Sequence, residues 1–155
     1  MKTQKQHLLS LTFCLLALGI QNQLQAQDYE MSMAKTADDM TLTWNKAPDF
    51  FPGCTFTILH GDLAKPNLDF FFKIEPDTEV VEHTHNSSER MILISGELEV
   101  QYQGEKSQIM KPGTYAYGPP KKPHRAKCLK GDPCVLFIAM VEPFSAEPTG
   151  LAMKD

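Results

Sequence analysis

The chain has 155 residues, a formal net charge of -4 and an apolar content of 42%. This length allows one compact domain of modest stability, and the acidic balance argues against nucleic acid as a partner. A local basic cluster within residues 121–130 has two explanations, solvated loop charges or the steering of an anion towards the protein.

The first 26 residues have the features of a secretory signal peptide. Lys2 and Lys5 form a basic start, residues 8–20 are mostly apolar, and Ala26 provides a small residue before a cleavage point. The apolar stretch is shorter than the about 20 residues that a transmembrane helix needs. We therefore expect an exported protein, periplasmic or secreted, that is cleaved near Ala26 and keeps no stable membrane anchor.

The remaining residues are predicted to form an arm, a β-domain and a tail. Residues 27–53 would provide an N-terminal arm and a first strand, with either a short helix or an irregular segment over residues 28–40. Residues 54–145 contain many short apolar segments between turn signals, a pattern typical of an all-β sandwich or barrel. Residues 146–155 would form a C-terminal tail. The pattern predicts strands at 55–60, 68–74, 79–85, 89–95, 98–103, 107–110, 114–117, 124–129 and 134–142.

Four polar side chains have the spacing of a metal site. In the run HTHNSSE, one residue separates His83 from His85, so in a strand both project from the same face. The turn formers that follow would reverse the chain and return Glu89 to that face on the adjoining strand. His124, in the later run PPKKPH, is the fourth candidate. A lone histidine is more often a structural group, but three imidazoles with one carboxylate suit a divalent transition metal.

The first three of these residues stand in a pattern that resembles the first motif of the cupin superfamily. That motif is a glycine, five residues, histidine, one residue, histidine, three or four residues, glutamate, six residues and glycine. Asp77, His83, His85, Glu89 and Gly96 occupy these places, with Asp77 replacing the first glycine. The two histidines and the glutamate are retained.

A second cupin motif is recognisable further along the chain. It is a glycine, five residues, proline, one residue, glycine, two residues, histidine, three residues and asparagine. Gly113, Pro119, Lys121, His124 and Cys128 occupy these places, so Lys121 replaces a glycine and Cys128 replaces the asparagine. His124 keeps the ligand position, and the resemblance directly covers the central third of the chain.

The resemblance implies a fold, a cofactor and a form of assembly. The fold would be a single all-β double-stranded β-helix, also called a jelly roll or cupin barrel. The cofactor would be one divalent transition metal, iron, manganese, nickel, copper or zinc, held by His83, His85, Glu89 and His124. The ligand or substrate would be a small molecule, and two copies would pair through their sheets as a homodimer. The chain looks like a small exported bacterial cupin, from a branch without a settled activity.

Three functions are compatible with this site. In the first, the protein is a small-molecule metalloenzyme, dioxygenase-like or isomerase- or lyase-like, whose chelating or anionic substrate occupies open positions of the metal. In the second, it captures such a ligand without turnover. The third, a storage or structural cupin, does not need the four ligands. The sequence does not identify a catalytic base, because Glu82 and Arg90 alternate away from the ligands on their strands.

Tyr102, Tyr117 and Cys128 are further candidates for the pocket wall. The tyrosines would serve either in barrel packing or as hydroxyl groups that orient a ligand. By strand periodicity Cys128 faces the same way as His124, where it would tune the metal; the alternatives are a small buried hydrophobe and a disulfide. Three cysteines remain after cleavage, and an oxidising compartment favours pairing two of them, with one left over. The turn between Cys128 and Cys134 makes a disulfide between these two sterically feasible.

Overall fold

The computed structural model describes residues 31–150, and the regular structure in this range is entirely β-strand. The nine strands expected from 55 onwards are all present, and their ends agree with the prediction to within two residues. A further short strand lies within residues 27–53. In chain order the strands are β1 Asn45–Lys46, β2 Cys54–His60, β3 Leu68–Ile74, β4 Glu79–Thr84, β5 Glu89–Ser95, β6 Leu98–Tyr102, β7 Gln108–Met110, β8 Tyr115–Gly118, β9 His124–Cys128, β10 Cys134–Met140 and β11 Glu147–Pro148.

The strands form two antiparallel sheets. The six-stranded sheet has the order β1-β2-β3-β10-β5-β8, and the five-stranded sheet has the order β11-β4-β9-β6-β7. Successive strands such as β4 and β5 lie in different sheets, so the chain crosses from one sheet to the other several times. This two-sheet jelly roll confirms the fold class predicted from the sequence.

The alternation of β5 explains which side chains fill the space between the sheets. Met91 and Leu93 are buried, with exposures of 5% and 0%, whereas Ile92 and Ile94 are 41% and 40% exposed on the outer face. Leu98, on the other sheet, belongs to the same core cluster. Burial of one such aliphatic side chain stabilises the fold by about 1.5–3 kcal/mol, so the inner faces of the two sheets hold the sandwich together.

A disulfide links the two sheets. Cys128 at the end of β9 is bonded to Cys134 at the start of β10, with Cα atoms 5.7 Å apart. Because β9 and β10 lie in different sheets, the bond crosses the sandwich, and closing so short a loop stabilises a fold by about 2 kcal/mol. Of the alternatives that the sequence leaves open, the structure has the disulfide. Among the cysteines between residues 31 and 150, Cys54 is the one left over, and it is buried.

The segments before and after the predicted barrel are an irregular arm and a further strand. The compact unit that contains all the strands begins at Lys35. The described part of the arm, from residue 31 to β1, contains turns and no helix, so the irregular alternative applies to it. At the other end, β11 pairs with β4 and satisfies backbone groups of that edge strand. The five-stranded sheet therefore continues beyond residue 145, where the sequence pattern places the start of the tail.

The predicted signal peptide and its cleavage point near Ala26 lie outside the described residues. Export and location in the periplasm or outside the cell stay predictions of the sequence. Within residues 31–150 there is no helix that is long and apolar enough to cross a membrane.

Candidate metal centre

The three histidines meet at the inner face of the five-stranded sheet. His83 on β4 and His124 on β9 are direct cross-strand neighbours, and His85 follows the last residue of β4. The ring centroids are 4.2 Å apart for His83 and His124, and 4.7 Å apart for His83 and His85. The rings of His85 and His124 are 5.3 Å apart. All three residues are buried, so the structure brings the predicted imidazole ligands together away from solvent.

A β-bulge in β4 decides which residues of this strand point inward. The pairing with β9 shifts between Val80 and His83, so two residues of β4 lie opposite one residue of β9. Val80 and His83 are therefore both buried although three positions separate them, which regular alternation does not allow. Without the bulge, Glu82 and Thr84 would follow Val80 on the inner face, and the histidines would point outward.

Glu89 reaches the histidines from the opposite sheet. Its Oε1 lies 3.4 Å from Nε2 of His85, and its Oε2 lies 3.4 Å from Nε2 of His124. The expectation that Glu89 returns on a strand adjoining β4 is wrong, because β5 belongs to the six-stranded sheet and β4 to the five-stranded sheet. The turn between them leads from one sheet to the other, so both sheets contribute to the site.

The hydrogen bonds of the three rings define which nitrogen faces the centre of the site. In each ring Nδ1 contacts a backbone carbonyl oxygen, at 2.7 Å for His83 and 3.1 Å for His124. Since a carbonyl oxygen only accepts, each Nδ1 carries a hydrogen and each Nε2 is turned towards the centre of the site, an arrangement typical of histidine metal ligands. The carbonyl groups belong to Val81 for His83, to Lys122 for His124 and to Ser145 for His85.

The Nε2 atoms and the Glu89 carboxylate converge on one point. One ligand atom of each histidine lies within 4.8 Å of the others. Nε2 of His85 is buried without a hydrogen-bond partner and faces an oxygen of Glu89. In a buried site an ionised carboxylate needs a compensating positive charge, which a proton on an imidazole or a metal cation provides. A divalent transition metal fits this donor set, since imidazole nitrogen and carboxylate oxygen are ligands that it prefers.

The charges of the metal-free site follow from burial and from these contacts. Burial would raise the pKa of Glu89, but His85 and His124 outweigh it and lower that pKa to about 2, so the carboxylate is ionised. Burial, reinforced by His124 and His85, lowers the pKa of His83 to about 3 and keeps this ring neutral. Burial also opposes the charge of His124, but its hydrogen bond with Glu89 prevails and raises the pKa of His124. An ionised carboxylate and neutral imidazoles are the forms that bind metals, so a metal would displace the proton that lies between His124 and Glu89.

A cavity of about 50 Å³, hereafter the ligand cavity, lies beside these four residues. The ring of Phe51 packs edge-on against His83, with centroids 4.7 Å apart, and the ring of Phe144 lies 6.2 Å from that of His85. An apolar lining excludes water and so strengthens electrostatic interactions with the ligands. Apart from the four polar residues, the lining is apolar and includes Phe51, Phe70, Phe72, Ile74, Leu136 and Phe144.

Residues 141–149, hereafter the C-terminal strap, support the site from outside the predicted motifs. The Ser87 hydroxyl oxygen accepts hydrogen bonds from the backbone N–H groups of the first two strap residues, at 2.9 and 3.1 Å. Further along, the Ser145 hydroxyl oxygen accepts one from the N–H of Asn86 at 2.8 Å, beside the carbonyl that binds His85. The sequence carries no signal for these roles, because Ser87 is 54 and 55 positions from its partners.

Tyr102 lies next to the site but not in the wall of the ligand cavity. It stands directly opposite His124 in the pairing of β6 with β9, and the two ring centroids are 5.3 Å apart. Burial, with a contribution from Glu89, raises the pKa of Tyr102 above its usual range, so the phenol stays neutral. A Cβ atom at Gly118 would come within 3.3 Å of the tyrosine side chain, so this glycine leaves the space that Tyr102 occupies.

The structure does not place Tyr117 and Cys128 at the ligand cavity. Gly118 pairs with the inward-facing Glu89 and so occupies an inner-face position of β8. Alternation places the preceding residue, Tyr117, on the outer face, where it is 52% exposed. Cys128 shares the inner face with His124 but lies four residues further along β9, roughly 13 Å away, and is held in the disulfide. The expectation for Cys128 was derived from alternation alone, which gives the face of a sheet but not the position along it.

Comparison with known proteins agrees with this geometry. A family model described as Cupin domain matches residues 70–140, a range that includes all four candidate ligands. No curated protein matches the chain significantly. Among solved structures, the polyketide cyclase RemF from Streptomyces resistomycificus is 16% identical with a TM-score of 0.64, and the match covers 77% of this chain and 88% of that chain.

Two further structures have the same fold. The DMSP lyase DddQ from Ruegeria pomeroyi DSS-3 is 16% identical with a TM-score of 0.60, covering 70% of this chain and 61% of that chain. KdgF from Halomonas sp. is 20% identical with a TM-score of 0.55, covering 66% of this chain and 89% of that chain. At these identities the likeness is one of fold.

Proposed function

Because this chain belongs to the cupin superfamily, we propose that it is a metal-dependent enzyme that acts on a small chelating or anionic molecule. The metal would be one divalent transition ion held by His83, His85, Glu89 and His124. One observation carries the proposal: three imidazole rings and an ionised carboxylate converge in a buried site, and together they form a donor set that a divalent transition ion prefers. A second candidate, capture of the same kind of ligand without turnover, uses the same residues.

A bound divalent ion would act as a Lewis acid that polarises an oxygen of the substrate. The protein supplies the surroundings for this chemistry. Glu89 stays ionised and offsets part of the positive charge, the backbone carbonyls fix the orientation of the rings, and the phenylalanines exclude water. A redox-active ion would favour a dioxygenase-like reaction, and zinc would favour isomerase- or lyase-like acid–base chemistry.

Two features bear on the choice between catalysis and capture. The structures of similar fold include proteins described as a polyketide cyclase and a DMSP lyase, which supports an enzyme. Among the described residues, however, the ligand cavity has no acid or base in its wall besides the four ligands, which favours the capture alternative. Catalysis would then require that a proton be moved by a metal-bound hydroxide or by the ligands themselves.

Turnover by the metal-loaded protein tests this proposal. The full chain, loaded in turn with iron, manganese, nickel, copper and zinc, is incubated with α-hydroxy acids, α-keto acids and β-diketones, with and without dioxygen. Products are followed by NMR. We expect turnover that is lost on chelation and in Glu89→Gln, which keeps the shape of the side chain but removes its charge. The matched control is Glu99→Gln, the same substitution in β6 and outside the site. Binding without turnover would support capture instead.

A further inference from the structure

The ligand cavity is large enough for only the reacting end of a substrate. At about 50 Å³ it has room for a few water molecules, since one water needs roughly 10–15 Å³. A carboxylate or two neighbouring oxygens fit such a space, but an aromatic ring does not, since an apolar cavity that takes benzene has about 150 Å³. Any larger part of a substrate must therefore lie elsewhere.

A second cavity, hereafter the side cavity, adjoins the ligand cavity. Its volume is about 400 Å³, within the range of about 300–1,000 Å³ that is typical of small-molecule sites. Phe70, Phe72 and Phe144 line both cavities and so form a common wall. Phe56 and Leu63 contribute to the rest of the lining of the side cavity. Because the same three rings border both spaces, a molecule that occupies both would lie against them.

Phe144 contributes to the common wall from the C-terminal strap, whereas Phe70 and Phe72 belong to β3. Its ring packs edge-on against that of Phe70, with centroids 6.1 Å apart, and lies 6.2 Å from the ring of His85. Its backbone N–H donates to the carbonyl oxygen of Leu63 at 2.9 Å, which joins the strap to the loop on the other side of the side cavity. The ring of Phe144 thus lies next to a candidate metal ligand and also borders the side cavity.

The charges at the side cavity lie on its rim. Nζ of Lys46 is 2.7 Å from Oδ1 of Asp49, and the two side chains are 77% and 93% exposed, so water solvates this pair. Below the rim the lining presents four phenylalanine rings, Phe56, Phe70, Phe72 and Phe144. Aromatic rings pack favourably against one another edge-on or offset. The lining therefore favours a neutral aromatic group over a charged or strongly polar one.

We infer that the substrate class of this site is an aromatic compound with a small oxygen-chelating group. The chelating group enters the ligand cavity and reaches the four ligands, while the ring lies in the side cavity beside Phe144. This inference rests on the proposed metal site and adds to it the part of the substrate that distinguishes one chelator from another. Phe144 and Leu63 then determine specificity, since they line the space for the ring and hold no metal.

Two hydroxamates of different size test the inference on the zinc-loaded full chain. Acetohydroxamate carries only the chelating group, and 3-phenylpropionohydroxamate adds a phenyl ring on a short linker. We expect the phenyl compound to bind at least about tenfold more tightly by titration calorimetry, since the ring leaves water for an apolar lining. Leu63→Arg, which puts a charge into the side cavity, should abolish this preference and leave the affinity for acetohydroxamate unchanged. Ile58→Arg, at an exposed position of β2, is the matched control.

The outcomes separate the inference from the proposed function. Leu63→Trp fills the same space without a charge and replaces Leu63→Arg if the charged variant does not fold. Equal affinity of the wild type for both hydroxamates would overturn the inference and leave the metal site standing, as would a preference that persists in the Leu63 variants. If neither hydroxamate binds the zinc-loaded wild type, the proposed metal site fails and the inference fails with it.

Discussion

Replacement of Ser87 by alanine should loosen the C-terminal strap. The Ser87 oxygen accepts hydrogen bonds from the backbone of Val141 at 2.9 Å and Glu142 at 3.1 Å, and its hydroxyl donates to the carbonyl oxygen of Ser88 at 2.8 Å. Each such bond contributes about 1 kcal/mol net. Ser87 is 1% exposed, so its hydroxyl makes these bonds in place of bonds with water. We expect the free energy of unfolding to fall by about 2–3 kcal/mol.

Two measurements follow this change. Urea denaturation of the metal-free proteins gives the loss of stability, which corresponds to a fall in melting temperature of roughly 10 °C for a domain of this size. Titration with zinc gives the effect on the site. The strap carries the Ser145 carbonyl that orients His85, and the loss of such an orienting contact weakens metal binding by about tenfold or more.

Ser88→Ala is the control for this experiment, because it removes the neighbouring hydroxyl from the same turn. If Ser87→Ala and Ser88→Ala have equal stability and equal zinc affinity, the role assigned to Ser87 is refuted. A loss of stability in Ser87→Ala without a loss of zinc affinity would refute the coupling between the strap and His85.

Three further outcomes are expected. Lys121 has a φ angle of 62°, which is unfavourable for a residue with a side chain. Lys121→Gly should therefore raise the free energy of unfolding by about 1 kcal/mol, measured by urea denaturation. An unchanged denaturation midpoint would contradict this strain. Burial, with a contribution from Glu75, raises the pKa of the Cys54 thiol to about 12. Iodoacetamide at pH 8 should therefore label Cys54 only after denaturation. Rapid labelling of the native protein would be inconsistent with the burial of this thiol. The homodimer stays a prediction. Ile92 and Tyr115 are neighbours on the outer face of the six-stranded sheet and are 41% and 59% exposed, so Ile92→Glu should be monomeric in light scattering. A monomeric wild type would refute the predicted dimer.

The sequence predicts the metal ligands better than it predicts how they are assembled. His83 and His85 could be assigned to one face because two-residue alternation is a local property of a strand. The bulge that turns this face inward could not be predicted, since it exists only in the pairing of β4 with β9. The placement of Glu89 on the opposite sheet likewise depends on the pairing of β5 with β10 and β8.

Supporting residues were missed where their contacts join distant parts of the chain. Phe144 and Ser145 belong to a segment without a motif, and their role at His85 depends on how the strap crosses the sandwich.

The two residues that replace motif glycines, Asp77 and Lys121, keep the backbone conformation that those positions require. Both residues have positive φ angles, 58° and 62°, so the chain keeps the left-handed conformation that glycine adopts more easily.

Elemental analysis of the purified protein tests the central claim most directly. Wild type, Glu89→Ala and His124→Ala are compared after reconstitution with each of the five candidate metals, with Glu99→Ala as a control on the same sheet as His124. The account predicts about one divalent transition ion per chain in the wild type and in the control, and a large loss in both site variants. A wild type that holds no metal after reconstitution, or site variants that retain it fully, would contradict the proposed centre.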